Sequence, residues 1–444
     1  MKRWGRWVGG VFAFAVLGVV TLYVASSLRG ATTEQKAALA VMEQPGAAPG
    51  RNAFAALWLL PYDVPQNELE ALAAQDVRRF AARDPAAGAQ NLTYVSIAAD
   101  RYPQPSRSTD GLPLCRRGVP GCLAQVRAQR DAYQRWREQH LGLIERVGAL
   151  SQYGHYRGNF EPSLMAPFPP LSQVGGTLLT DRALSFVDGR TDVALAQVCG
   201  DVDTWRRLGP NSDSLLMSMF GSGIAGDATV LFAEMLAELP AGHPLPPACT
   251  IAFAAPTVVE MSLCKVMSGE FRFNRAALTQ LAGAEDKYAD GNLLFSRAMT
   301  EARWAAQMAH MCGQDVERAL LDDRMAPMQL ANERFRLDCV RNYIGCIFTD
   351  IAAPAYRDYL LRTQDYGAKL RLAGTLLWLH QNHTDARPLQ ARLASRPGAL
   401  RNTGRDIEIV DGGRALRVAM YGRHPARHFE LPLPAYARGA ASAN

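Results

Sequence analysis

Between Trp7 and Leu28 the chain runs for 22 residues without a charged side chain, WVGGVFAFAVLGVVTLYVASSL. As a helix this stretch is ~33 Å long at 1.5 Å per residue, enough to cross the ~30 Å hydrocarbon layer of a bilayer. Lys2, Arg3 and Arg6 precede it, whereas only Arg29 and Lys36 follow closely. The positive-inside bias then predicts a cytoplasmic N-terminus and a body on the far side. Trp4, Trp7 and Tyr23 stand near its ends, where amphipathic rings favour the membrane interface. Val24-Ala25-Ser26 has the small residues of a leader-cleavage site, but the apolar run exceeds the ~7–15 residues usual for such leaders. The reading adopted is a retained single-pass anchor over residues 1–30, touching the bilayer through residues 7–28. Either reading exports the rest of the chain.

The 48 basic residues outnumber the 42 acidic ones, giving a formal charge of +6. Of the basic residues 43 are Arg, a skew that with abundant Ala reports a GC-rich bacterial genome. The Arg residues are scattered among Asp and Glu and form no dense run with interleaved aromatics, so no nucleic-acid partner is predicted. Beyond the anchor, a chain that is 48% apolar and 20% charged has the balance of a folded protein. The predicted location is the periplasmic side of a bacterial inner membrane.

Export changes how the eight Cys are read, because an even number outside the cytosol points to disulfides. Cys115 and Cys122 flank Arg-Arg-Gly-Val-Pro-Gly, a turn-forming stretch, and are the predicted disulfide. Cys339 and Cys346 have the same spacing, yet an unbroken helix would hold their Cα atoms ~10 Å apart, beyond the ~7 Å limit. They pair locally only if the chain bends near Gly345. Cys249 and Cys264 would lie ~22 Å apart on one helix, which leaves Cys199 and Cys312 as candidate partners with the pairing open. No spacing is C-x-x-C, so neither structural zinc nor thioredoxin-type chemistry is predicted.

Residues 31–50 are Ala-rich and end in EQPGAAPG, read as a short helix and flexible tether. A polar helix is predicted over 67–83, a lone strand over 91–98, and a Pro- and Gly-rich loop over 100–121. In 123–150, Val126, Tyr133, His140 and Val147 recur with Trp136, Leu143 and Leu150 at helical spacing. Further helices are predicted at about 171–188, 191–208, 212–239, 246–267, 292–321 and 354–380, with Pro354 in a first turn. In the helix 292–321 the stripe Ala298, Ala302, Ala305, Ala309 is small and permits close helix approach. After residue 400 the pattern changes to period-two alternation around Asp411-Gly412-Gly413, and 428–433 could add a third strand. The predicted organisation is mainly α: a multi-helix bundle or α-hairpin stack over 51–400, with a small β-hairpin or meander over 401–434 and a disordered tail over 435–444. One transmembrane helix precedes it.

Four clusters invite a chemical reading. His380 and His383, with Asp385 following, have the spacing at which two imidazoles share a helix face and meet one cation; the competing reading makes His380 part of the apolar stripe Tyr366, Leu370, Ala373, Leu377. Ser262-Leu-Cys-Lys265 matches S-x-x-K of penicillin-recognising enzymes, but the accompanying Ser-x-Asn and Lys-Thr-Gly elements are missing. Gly221, Gly223 and Gly226 form neither a nucleophile elbow nor a phosphate loop and are read as helix-packing positions. Glu260 lies in an apolar run, where burial would raise its pKa; pairing with Arg272 or Arg275 is the reading adopted. His140 is read as a hydrogen-bonded core histidine, and His310 as solvent-facing beside Arg303, Gln307 and Gln314. No cofactor is predicted. The functional expectation is a non-enzymatic binding or scaffold module holding an envelope protein partner near the membrane. The alternative is an envelope hydrolase, metal-assisted at His380, His383 and Asp385.

Overall fold

A computed structural model describes residues 2–44, 46, 48–83, 94–102, 112–116, 118–284, 292–327, 336–401, 404–422 and 426–438. The chain is mainly helical and carries a small three-stranded antiparallel sheet towards its C-terminal end. Helix α1 (Lys2–Ser27) stands away from the rest: its 18-residue window Gly10–Ser27 has a mean hydropathy of 2.0 and is 6% buried. It is long and apolar enough to cross a membrane.

The segment expected to be a flexible tether is instead docked. Thr32 accepts the amide of Gln35 at 3.1 Å while the Gln35 side chain accepts the amide of Thr32 at 3.0 Å, a capping box that starts α2 (Thr33–Glu43). Ala38 and Met42, one turn apart, are buried in a core with Val266, Met267 and Phe271. Among so many Ala residues this two-position stripe was invisible to pattern reading.

The body then builds two cores. The larger one gathers α3 (Phe54–Trp58), α4 (Leu69–Ala81), α5 (Cys122–Ala128), α6 (Arg130–Gly148), α7 (Val174–Val187), α8 (Thr191–Leu208), α9 (Leu215–Glu238) and α10 (Pro247–Ala252). The smaller joins α2 to α11 (Val258–Met261), α12 (Cys264–Ala284), α13 (Arg297–Ala309) and α14 (Gln314–Leu321). After α15 (Asp338–Arg341), the 39-residue α16 (Tyr343–Gln381) links them, placing Tyr356 and Leu360 in the smaller core and Leu370 to Leu379 in the larger. It continues through Pro354, predicted as a first-turn residue; Pro354 is solvent-exposed, so its missing N–H falls on the wet side. Helix α17 (Leu389–Ala394) leads into β1 (Ile407–Val410), β2 (Ala415–Ala419) and β3 (His428–Pro432), ordered β1-β2-β3 with Ile407 opposite Val418 and Leu416 opposite Leu431.

A second helix, α9, also has the length and hydropathy to cross a bilayer, but 61% of it is buried and it is the central helix of the larger core. Its acidic groups are used inside the body: Asp227 accepts the amide of Gly118 at 2.8 Å, and Glu234 accepts those of Gly121 at 2.5 Å and Leu123 at 3.2 Å. Gly221 packs α9 against the end of α8, where a Cβ would lie 2.8 Å from the Cα of Gly209.

Four further segments differ from the pattern reading. The helix expected over 246–267 is split into α10, α11 and the start of α12 by the non-helical stretches 253–257 and 262–263. No strand forms over 94–98, and residues 91–93 lie outside the described ones. The Asp76 carboxylate captures Trp58 Nε1 at 2.8 Å, Tyr94 Oη at 3.2 Å, Ser96 Oγ at 2.5 Å and the amide of Ile97 at 3.0 Å, which turns the chain into a 3-10 turn. The helix expected over 292–321 breaks at Gly313 after a 3-10 turn, His310–Cys312. The expected disordered tail begins with an ordered turn, Ala435–Ala437, whose Ala437 is fully buried; residues 439–444 lie outside the described ones.

All eight Cys are joined in pairs. Cys115–Cys122 has its Cα atoms 5.4 Å apart, Cys199–Cys249 4.8 Å, Cys264–Cys312 4.9 Å and Cys339–Cys346 5.8 Å. The bend that admits the last pair falls at Asn342, with φ −118° and ψ 44° between α15 and α16, rather than at Gly345.

Candidate functional site

A polar cleft lies where the end of the α2 segment, the chain at 155–157, the α8–α9 connection and α12 meet. It is narrow and is lined by Gly46, Ala48, His155, Tyr156, Arg157, Asn211, Ser212, Asp213, Lys265 and Arg272. Two isolated parallel bridges, Asn52 to His155 and Tyr156 to Ser212, hold its floor. Asn52 fixes the Arg157 backbone from both sides, donating to its carbonyl at 2.9 Å and accepting its amide at 2.9 Å. Pro49 lies directly over Gly154, where any Cβ would overlap the Pro49 carbonyl.

The opposite wall is one face of α12. Lys265, Gly269 and Arg272 recur at i, i+4 and i+7, so they share that face. Gly269 has no side chain to hold the helix off, and α12 presses onto the Asp213 backbone there. Lys265 and Arg272 are thereby brought to either side of the 211–213 segment. Lys265 Nζ donates to Asn211 Oδ1 at 3.2 Å, and Arg157 donates to the carbonyl of Gly46 at 3.0 Å, both neutral partners. Arg272 lies 3.9 Å from Asp213 and donates to Ser268 Oγ at 3.1 Å. Asp213 also accepts the amide of Gly158 at 3.1 Å. Burial pushes the Asp213 carboxyl above its ordinary range, against the pull of that amide, Arg272 and Arg157. Burial first, and then the Asp213 charge, raise the Tyr156 phenol as well, so it stays a neutral hydroxyl. Three cations thus face one carboxylate in a half-enclosed space. The cleft therefore carries an excess of positive charge.

The residues singled out in the sequence fall elsewhere, Lys265 and Arg272 excepted. His380 is buried and both ring nitrogens are engaged, Nδ1 with Tyr436 Oη and Nε2 with the His243 carbonyl at 2.7 Å. Burial lowers its pKa, favouring the neutral ring. His383 Nδ1 turns back to the carbonyl of His380 at 3.1 Å. Asp385 is gripped by Arg387 at 2.7 Å, which holds its carboxyl down at about 2. Among the described residues, the three donors close enough to share a cation are Asp338, Cys339 and Cys346, and there the sulfurs are bonded to each other.

Ser262 Oγ accepts the amide of Cys264 at 3.2 Å while Lys265 reaches into the cleft, so the S-x-x-K pair is split between two tasks. Glu260 is paired, but with Arg206, by hydrogen bonds of 2.8 and 2.7 Å, and not with Arg272 or Arg275. Arg206 arrives from α8, 54 residues upstream, beyond the reach of local reasoning. His140 is buried against Trp136, whose carbonyl lies 2.7 Å from Nδ1, and it sits at a kink of α6. His310 faces the carbonyl of Pro327 at 2.9 Å; its expected polar neighbour Arg303 is buried against Thr349 at 2.7 Å and Asp350 at 2.6 Å, because α13 packs on α16. The i, i+4, i+7 spacing of Lys265, Gly269 and Arg272 stands in the sequence, but the helix expected over 246–267 stops short of Gly269, so the face was missed; Arg157 and Asp213 join it only by long-range pairing.

No family model, curated protein or solved structure matches the chain.

Proposed function

We propose that this chain is a single-pass, inner-membrane-anchored binding protein of the bacterial envelope, with its body in the periplasm and no chemistry performed on its ligand. The cleft takes the anionic group, phosphate or carboxylate, of a partner held near the membrane. One observation carries the ligand class: Arg157, Lys265 and Arg272 converge on one cleft against the single carboxylate of Asp213. The exposed, charge-free length of α1 and the pairing of all eight Cys support the anchor and the oxidising compartment.

Calorimetric titration of the full chain in detergent with inorganic phosphate tests the ligand class. The expected result is salt-sensitive binding that falls at least about tenfold in a Lys265→Gln, Arg272→Gln double variant of unchanged melting temperature. Equal heats from both proteins would refute it. A reporter fused to the C-terminal end tests the compartment: alkaline phosphatase activity is expected, and a fluorescent cytoplasmic reporter at that end contradicts it. In-cell crosslinking should recover an envelope protein in the parent chain and lose it in the double variant.

A further inference from the structure

The corner from which α1 departs is unusually apolar. Arg341 ties it together: its amide donates to Ser26 Oγ at 2.9 Å, its guanidinium lies 6.0 Å from the Tyr23 ring, and it donates to the carbonyl of Phe295 at 2.5 Å. Two residues later α16 begins with Tyr343, Ile347 and Ile351 at i, i+4 and i+8, exposed by 57, 40 and 73%. Leu293 and Leu294, exposed by 69 and 46%, hang on the same corner, since the amide of Ile344 donates to the carbonyl of Leu294 at 3.0 Å.

These turns of α16 are apolar on the inner side too, where Ile344, Phe348 and Ala352 pack against the smaller core. Asp350, the charged residue of this stretch, is half-exposed and paired with Arg303 at 2.6 Å. Tyr343 and Ile351 are ~12 Å apart along the helix, so the whole face lies close to the point where α1 would enter lipid.

We infer that the corner formed by Leu293, Leu294 and the Tyr343, Ile347, Ile351 face of α16 rests in the periplasmic interfacial layer of the same bilayer that α1 crosses. The occupant of this face is lipid, because the surface is continuous with the end of an uncovered apolar helix. Tyr343 has the amphipathic ring that settles at headgroup depth, and the aliphatic side chains bury in the acyl boundary as on a monotopic helix. The inference rests on the anchor reading and adds that the body lies against the membrane in a fixed orientation.

The test uses the unmodified full chain in nanodiscs of phosphatidylethanolamine and phosphatidylglycerol containing a phospholipid with a diazirine close to its headgroup, with adducts mapped by mass spectrometry. Adducts are expected on 293–294 and 343–351, well above the level on Leu141 of α6 and Val193 of α8, exposed apolar residues away from this corner. An Ile347→Asp, Ile351→Asp variant should lose labelling at 343–351 and keep it at the end of α1. Labelling of α1 alone overturns the inference and leaves the anchor standing. Absence of label from α1 as well overturns the anchor reading and the inference together. Crosslinks between two copies through Tyr343, Ile347 and Ile351 would assign the face to self-association and equally overturn it.

Discussion

Gly269 on α12 and Asp213 in the strap before α9 are in backbone contact: a methyl group at Gly269 would overlap the Asp213 carbonyl oxygen and stand 2.9 Å from its Cα. This contact sets the width of the cleft, because Lys265 and Arg272 lie one turn to either side of Gly269 on the same face. The absence of a side chain at one position therefore decides where two cations end up.

Gly269→Ala should force α12 away from the strap, lowering stability by roughly 1–3 kcal/mol, as overpacking does, and weakening phosphate binding with it. Gly200 is a useful contrast. It also lies inside a helix, but a Cβ there meets nothing within 4 Å, so Gly200→Ala should stabilise by roughly 0.5–1 kcal/mol. Chemical denaturation of the two variants separates contact from propensity, and equal effects would refute the argument.

Glu270, next to that contact, has its carboxyl pushed up to about 6 from an ordinary 4.5 by burial. The folded chain holds this proton more tightly than the unfolded chain does. The stabilisation it brings is complete below pH 4.5 and is lost as pH climbs through about 6. The loss is on the order of 2 kcal/mol. Glu270→Gln should flatten this part of the stability profile between about pH 4.5 and 7, measured by denaturant midpoints. An unchanged slope would show that the group does not titrate with folding.

The four disulfides are expected to contribute unequally. Cys199–Cys249 and Cys264–Cys312 close stretches of 50 and 48 residues, whereas the other two pairs span 7. Loop-closure entropy assigns about 4 kcal/mol to each long bridge and about 2.4 to each short one. Paired Cys→Ala variants should follow that order in thermal unfolding, and thiol titration of the native chain should find no free sulfhydryl. A reversed order would mean that the unfolded chain is not where these bonds act.

Arg405 is buried between two equally buried carboxylates, donating to Asp323 at 2.9 and 2.5 Å and to Asp365 at 2.5 Å. Asp365 in turn accepts the amides of Tyr421 at 2.7 Å and Gly422 at 2.8 Å, which ties the C-terminal sheet to α16. Arg405→Ala removes the cation the two carboxylates share, leaving Asp323 with Arg371 at 2.8 Å and Asp365 with those two amides, and should cost about 3–5 kcal/mol. Limited proteolysis should then release the segment after residue 400 early. Proteolysis at the parent rate would argue against the sheet being held this way.

Much of the architecture was legible because it is periodic. The stripe through Tyr133, Trp136, His140 and Leu143 announces α6, and the alternation around Asp411-Gly412-Gly413 announces the β1–β2 hairpin. The misreadings fall where a distant group overrides a local one. Asp76 takes the amide and hydroxyl groups that a strand over 94–98 would have presented to a neighbour. Met42 finds a core that no pattern in residues 31–50 foretells.

The sequence by itself determined that a long charge-free helix opens the chain, that the body is helical and that a small sheet follows, since each depends on side-chain period and chain-local sterics. Only the tertiary structure decided how the six Cys other than Cys115 and Cys122 pair, that α2 is docked, and that Arg157 and Asp213 meet the Lys265, Gly269, Arg272 face of α12. Apart from Cys339–Cys346, whose pairing turns on the local bend at Asn342, these are contacts between residues tens to hundreds of positions apart, fixed by how two cores pack along α16, and no local spacing encodes them.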